Sequence, residues 1–248
     1  MINDYIKADI WRITRRIPRA VMILISYAIF VYYIVKRSQG DSWNSVFFME
    51  AYLGGLVLLA YFCSVIEFIS VFSEDLKAKT MQVAIGCGMK RRHVILTKWI
   101  DCMLLVLIDY LLACIIGLIT GFATGVHINL EQFGDLAVSF LGDMLSVGGY
   151  YSLVMIVVFW MQSILIPLIV YVCLCFQIIE SILKTLFSIE ALQPLNLEKF
   201  LIATDTELFK ARLMIGSFDV KAFIIILIYI AAGYLISNIL FKKKELEF

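Results

Sequence analysis

Long apolar runs alternate with short polar segments along almost the whole chain. A helix needs about 20 mostly apolar residues to cross a bilayer, and this length predicts six spans. The fourth and fifth form one apolar stretch that is too long for a single crossing, so we divide it at Gln162 and Ser163, shortly before Pro167. The predicted spans are residues 20–35, 51–72, 99–124, 136–161, 164–187 and 222–241.

The composition favours the same class of protein. The 248 residues are 62% hydrophobic and 17% charged, whereas soluble domains are about 45–50% apolar and about 25% charged. A soluble domain of this length would need a more polar surface. We therefore predict an all-α polytopic membrane protein that forms one transmembrane domain over residues 1–248. The net charge of +1 gives no reason to expect nucleic acid as a partner.

The distribution of Lys and Arg predicts the orientation in the membrane. Six spans place both termini on one side, and segments 1–19, 74–98 and 242–248 together hold most of the 21 Lys and Arg. Cytoplasmic segments carry the excess of positive charge. Both termini and the segment between the second and third spans are therefore predicted to be cytoplasmic, in a multi-pass protein of the cell membrane.

Residues 1–18 are predicted to form an amphipathic helix in the inner interface of the membrane. We expect its Lys and Arg side chains to face anionic headgroups and Pro18 to end it. Two roles fit such a helix, a simple anchor and a moving element in gating. The apolar residues that share one helical stripe are Ile2, Tyr5, Ile6, Ile10, Ile13 and Ile17.

The segment 74–92 is predicted to contain a short helix on the cytoplasmic face. Ser73 is the predicted N-cap, and Glu74 and Asp75 would lie in the first turn, where the helix dipole favours negative charge. Gly86 and Gly88 would end the helix. Leu76, Thr80, Val83 and Ala84 give it a modest apolar face. This face suits docking into a groove on a partner, whereas the alternative is that the basic residues 90–92 only fix the topology.

The sequence lacks the common catalytic motifs. It has no phosphate-binding loop, no H-E-x-x-H motif and no G-x-S-x-G motif. His93 and His127 fall in different predicted loops on opposite sides, which leaves too few ligands for a metal. We therefore expect the chain not to be an enzyme and to bind no metal or cofactor itself.

The cytoplasmic segment resembles the first cytoplasmic loop of ATP-binding-cassette (ABC) type-2 permeases. The likeness is strongest to permeases of bacterial antibiotic-peptide and bacteriocin export or immunity systems. It is carried by the order Phe72-x-Glu74-Asp75-x-Lys77-x-Lys79-Thr80, followed by Gly88-x-x-Arg91 and Lys98. The family usually has Gly at the position of Lys79. The C-terminal Phe241-Lys-Lys-Lys-Glu245-Leu246 resembles the signature that follows the family's sixth span.

The resemblance implies a half-transporter without its own nucleotide-binding site. Two permease copies would pair, as a homodimer rather than a heterodimer, and each would dock a separate ATP-binding subunit that uses ATP and Mg. The substrate would be a hydrophobic or amphipathic peptide, toxin or drug-like compound, moved out of a bacterial cell. The implied coupling residues are Glu74, Asp75, Leu76, Lys77, Thr80, Val83, Gly88 and Arg91. The alternative hypothesis is an ion-coupled secondary transporter or a membrane scaffold.

Charged residues inside predicted spans each need a physical reason, because ionisable groups at membrane depth are costly. Glu67 and Asp109 lie deep and have no basic residue nearby in the sequence. They are candidates to line a substrate cavity. The alternative is that they meet Arg or Lys side chains across helices.

The other charged residues in the spans are expected to be paired or hydrated. Glu180 and Lys184 are four residues apart and are predicted to pair. Asp101 is expected to be solvated or paired beside Lys98, and Asp143 is expected to be wet near the outer surface.

Two further patterns concern packing and the outer surface. Ala113, Gly117, Gly121 and Gly125 form a ridge of small residues, which predicts either packing within one subunit or a contact between subunits. Residues 188–221 mix apolar and charged side chains and are predicted to form short helices at the extracellular surface or dipping into the outer leaflet.

Overall fold

The structure, a computed structural model, describes residues 2–40, 43–77, 80–189 and 197–243. Over these ranges it contains ten α-helices and one short 3-10 turn, Leu197–Phe200, and no strand. Five of the described helices are long and apolar enough to cross a membrane, and a sixth crossing exists if one bent pair is a single span. The chain is therefore a helical membrane protein, as the hydrophobic pattern predicts.

The ten helices follow the predicted spans closely and add shorter elements between them. In chain order they are α1 (Ile2–Thr14), α2 (Ile17–Ser38), α3 (Ser45–Lys77), α4 (Thr80–Gly86), α5 (Arg91–Ala123), α6 (Leu130–Met161), α7 (Leu165–Cys175), α8 (Ile178–Phe187), α9 (Ile202–Met214) and α10 (Val220–Lys243). Spans one to four and six correspond to α2, α3, α5, α6 and α10.

The N-terminal helix ends earlier than predicted. α1 stops at Thr14, and Arg16 is extended as the N-cap of α2, which contains Pro18 in its first turn. The prediction that Pro18 ends the first helix is wrong. In the first turn of a helix the backbone N–H groups have no partner within the helix, so a proline there loses no hydrogen bond. Its fixed φ also suits that position. Pro18 therefore begins the first span.

The fifth predicted span is broken. The chain leaves α6 through Gln162, whose φ of 51° is left-handed, and this confirms the predicted division at Gln162 and Ser163. α7 and α8 then meet at an angle of 65°, where Gln177 also has a positive φ of 55°. Six crossings therefore require that this bent pair act as one span.

The bend is stabilised by Glu180 at the start of α8. Its carboxylate accepts hydrogen bonds from the Tyr150 hydroxyl at 3.0 Å and from the Ala203 amide at 3.0 Å. Ala203 lies in the first turn of α9, where the helix dipole favours a carboxylate. The predicted partnership of Glu180 with Lys184 is thus replaced by contacts to two other helices.

The predicted outer segment enters the bundle. α9 packs against α6 and α10, and its first residue, Ile202, lies against Gly149 near the middle of α6. Further along, Ser146 donates a hydrogen bond to Thr206 at 2.9 Å, and Lys210 pairs with Asp143. The expectation that Asp143 is wet is wrong, because α9 covers it and leaves it 1% exposed.

Glycines allow two close helix contacts inside the chain. Gly117 and Gly121 of α5 face the rings of Tyr52 and Phe48 on α3, so the predicted ridge packs within this subunit. The Tyr52 hydroxyl donates to the Cys114 carbonyl at 2.7 Å across the same contact. Gly233 of α10 lies directly against the backbone of α6, where a Cβ atom would overlap the Ser152 carbonyl.

The contact at Gly233 predicts a large effect of one methyl group. Because the opposing atoms are backbone, Gly233→Ala must push α10 away from α6, and we expect it to destabilise the protein by about 1–3 kcal/mol. Gly54→Ala is the matched control, since Gly54 is an exposed helical glycine with open space around it. Thermal unfolding of both variants in detergent measures the difference. Equal unfolding midpoints would contradict the close α6–α10 contact.

Candidate functional site at the end of the bundle that carries α1

One end of the bundle brings together α1, α4 and the ends of α2, α3, α5 and α10, and we call it the α1 end. Contacts between residues far apart in the sequence define it, such as the Arg12 side chain with Asp75 and the Arg91 side chain with the main-chain carbonyl of Phe241. All eight residues predicted to couple to an ATPase lie here: Glu74, Asp75, Leu76, Lys77, Thr80, Val83, Gly88 and Arg91. Lys79, Lys244, Glu245 and Leu246 of the resembling motifs lie outside the described residues.

The short helix at this end is smaller than predicted. Glu74 and Asp75 belong to the last turn of α3, which continues without interruption through Ser73 to Lys77. The prediction of Ser73 as an N-cap is therefore wrong, and the predicted apolar face is divided, with Leu76 on α3 and Val83 on α4. α3 can extend because its terminal carboxylates meet cations of other elements.

The end of α4 agrees with the prediction from its glycines. Gly88 has a left-handed φ of 92°, its amide donates to the Ile85 carbonyl at 2.9 Å, and the Met89 amide donates to the Ala84 carbonyl at 3.0 Å. These two bonds form a Schellman C-cap, which glycine supports without steric cost. The turn brings the chain directly back to Lys90, the N-cap of α5.

α4 has one buried face and one exposed face. Met81 is buried and Thr80 is half-buried, and the Thr80 hydroxyl donates to Asp75 at 2.6 Å. Val83, in contrast, is 63% exposed. Glu74, Lys77 and Gly88 are also exposed around it. The exposed face of α4 is thus a small apolar and polar surface that a partner could contact.

A buried group of charges joins α1, α3 and α5 beneath α4. Lys98 of α5 is 0% exposed. Its Nζ pairs with Asp9 of α1 and with Asp75 of α3, while the Asp101 carboxylate lies 4.0 Å away. Arg12 Nη2 completes the group with contacts to Asp9 at 2.9 Å and to Asp75 at 2.7 Å. We call Asp9, Arg12, Asp75, Lys98 and Asp101 the α1 ion cluster.

Tyr5 of α1 covers the cluster on one side. Its ring centroid lies 4.9 Å from the Lys98 Nζ, within cation–π range. Burial raises the pKa of the Tyr5 phenol, with Asp9 and Asp75 adding to the rise and Lys98 opposing it. Tyr5 therefore stays neutral and adds a polarisable surface rather than another charge.

Two of the four cations of α1 and its linker pair with carboxylates of α3. Arg12 binds the cluster, and Arg16 pairs with Glu74 and donates to the Ser70 carbonyl at 3.1 Å. The expectation that these cations face lipid headgroups is wrong for both residues, because carboxylates of α3 are within reach. Arg15, in contrast, packs over the Trp11 ring at 3.8 Å.

Arg91 connects the segment after α4 to the last span. Its Nη1 donates to the carbonyls of Phe241 at 2.7 Å and Lys242 at 3.1 Å. These carbonyls belong to the last turn of α10, where a cation is favourable because helix C-termini carry partial negative charge. The predicted coupling segment therefore contacts α1 through Asp75 and α10 through Arg91.

Glu67 and Asp109 meet a cation from a third helix. Arg19 of α2 places its Nε 2.7 Å from Glu67 Oε1 and its Nη2 3.0 Å from Asp109 Oδ2. The second of the two alternatives, pairing across helices, thus describes their contacts. We call Arg19, Glu67 and Asp109 the Arg19 triad.

Sequence reasoning missed the residues that arrive from a distant helix. Arg19 and Lys210 form ion pairs with other helices, and Asp9 does so in addition to its contact with Arg12 three residues along. Nothing in the local sequence names these distant partners. The sequence gives only indirect evidence: Glu67 and Asp109 have no cation near them in the sequence and therefore need one from another helix. In the ranges that the structure covers, no group of His, Cys, Asp and Glu is arranged to hold a metal.

The chain was also compared with known proteins. It matches no family model and none of the curated proteins. The resemblance to ABC permeases therefore rests on the motifs in the sequence.

Lys98→Met tests the α1 ion cluster. Removing the cation leaves buried carboxylates uncompensated, which costs about 3–5 kcal/mol, so we expect a large fall in the unfolding free energy in detergent. Adding Asp75→Asn should restore part of the lost unfolding free energy, because it removes one unpaired carboxylate while Asp9 still pairs with Arg12. Lys90→Met, an exposed lysine at the same end, is the control and should have little effect. A Lys98→Met protein as stable as the control would rule out the cluster.

Proposed function

We propose that this chain is the membrane subunit of an ABC exporter, with α4 as the helix that docks a separate ATP-binding subunit. The α1 end would face the cytoplasm, as the Lys and Arg distribution predicts. The chain would work as a pair of copies, and the paired spans would move a hydrophobic or amphipathic peptide, toxin or similar compound outward. ATP and Mg would be bound by the partner subunit.

The observation that supports this proposal most is the combination of an exposed α4 with a buried charge network below it. α4 is only seven residues long, yet it is held between α3 and α5 and is tied to Asp75 through Thr80. Asp75, in turn, contacts Lys98 and Arg12. A partner that pushes on α4 would therefore move three helices together.

Glu67 and Asp109 would hold α2, α3 and α5 together in the state that the structure describes. Both carboxylates already contact Arg19. A cationic substrate could reach them only after Arg19 leaves. Their use as a substrate cavity would thus belong to another state of the transport cycle.

Val83→Asp tests the docking surface. The substitution places a charge on the exposed apolar position of α4, so we expect it to separate the permease from its ATPase without unfolding the protein. The measurement is ATP hydrolysis that co-purifies with the tagged full-length chain from native membranes. Mass spectrometry identifies the hydrolysing subunit, which must be an ABC ATPase.

Val46→Asp is the matched control for this experiment. Val46 is similarly exposed but lies in the first turn of α3, at the opposite end of the bundle. The control should keep the ATPase, whereas the rate of ATP hydrolysis that co-purifies with Val83→Asp should fall at least tenfold. If both variants keep it, α4 is not the docking helix. Transport driven by an ion gradient, with no ATPase present, would favour the secondary transporter.

A further inference from the structure

The Arg19 triad contains more negative than positive charge. Two carboxylates share one guanidinium, with Arg19 Nε 2.7 Å from Glu67 and Nη2 at 3.0 and 3.2 Å from the two Asp109 oxygens. The side chains of Glu67 and Asp109 are 0% and 5% exposed. With both carboxylates ionised, the triad would carry a net charge of −1 among apolar spans.

Within the described ranges, the groups around the triad supply no second positive charge. α2 contributes the Tyr27 hydroxyl, which donates to the Asp109 main-chain carbonyl at 2.8 Å. Cys63 of α3, Cys102 of α5 and Tyr151 of α6 are the other titratable groups facing it. Among the residues that the structure describes, Arg19 is the only cation within ion-pair distance of either carboxylate. Glu67 Oε2 is buried, and no described residue donates a hydrogen bond to it.

Such an excess charge is unstable at this depth. A buried ionised carboxylate without a partner is strongly unfavourable, and a carboxyl group usually takes up a proton instead. The intramembrane position adds to this penalty, because no bulk water is available to solvate the charge. A proton neutralises the excess without any additional space.

We propose that the Arg19 triad is a proton-binding site that holds one proton, shared between Glu67 and Asp109, at neutral pH. The triad is then neutral, with one carboxylate facing Arg19 and one carboxyl group beside it. The two groups titrate as a pair, so the proton belongs to both. The proposal concerns the charge of this chain alone and does not depend on an ATPase partner.

Proton binding at this position would control a contact between three spans. Arg19 lies in the first turn of α2, while Glu67 and Asp109 lie within α3 and α5. Loss of the proton leaves one carboxylate uncompensated and weakens the attachment of α2 to the other two helices. The local pH or the access of water to the triad would therefore bias how these spans pack.

Infrared spectroscopy of the purified full-length protein tests the proposal. A protonated carboxyl group has a carbonyl stretching band that is separate from that of a carboxylate and that shifts on exchange into D2O. We expect both Glu67→Gln and Asp109→Asn to lose, at neutral pH, the band intensity of one carboxyl group per chain. Each variant loses it because the remaining carboxylate has Arg19 to itself. If one variant does not fold, the other still decides the question.

Asp143→Asn is the matched control. Asp143 is equally buried but faces one lysine, Lys210, and the Tyr110 hydroxyl at 2.5 Å, so it has a full counter-charge and should lose no band. Unchanged intensity in either triad variant would overturn the proposal. A wild-type band that appears only when Na⁺ is replaced by choline would also overturn it, because a metal cation would then neutralise the site.

Discussion

A fully buried lysine needs opposite charge around it, and at the α1 end this requirement determines how three helices meet. Lys98 is covered by α1, α3 and the body of α5, and the carboxylates that neutralise it come from Asp9 and Asp75. Water cannot replace either partner at 0% exposure. The position of α1 is therefore fixed by charge as well as by its apolar stripe, of which Ile13 is fully buried.

The same requirement explains the other polar contacts between helices. Apolar helices in lipid gain little from contact with each other, so close packing and polar contacts select which helices meet. The Arg19 triad joins α2 to α3 and α5, and the pair of Asp143 with Lys210 joins α6 to α9. Glycines such as Gly233 then allow the backbones to approach. Each buried ion pair therefore also fixes the register of the helices that it joins.

The sequence predicts the spans well because an apolar run is a local property. Five of the six runs became long helices, and the division at Gln162 was found where a polar dipeptide precedes Pro167. Several partners of the buried charges lie on other helices, so the contacts of Arg19 with Glu67 and Asp109 and of Asp9 with Lys98 could not be assigned. Ser73 shows that distant contacts can also override a local signal. It has the chemistry of an N-cap, but α3 continues through it because Arg12, Arg16 and Lys98 bind the carboxylates that follow.

The size of α4 bears directly on the proposed docking role. A helix of seven residues is too short to be stable alone in water, so its position depends on its anchors. Thr80 and Met81 anchor it to the bundle, and Gly88 returns the chain at once to α5. Arg91 then extends the connection to the end of α10. An isolated flap on a loop would absorb the force of a partner by bending. A short helix that is joined through Thr80 to a buried carboxylate and through Arg91 to the last turn of α10 would pass that force to the spans, which is the property that the proposed coupling role needs.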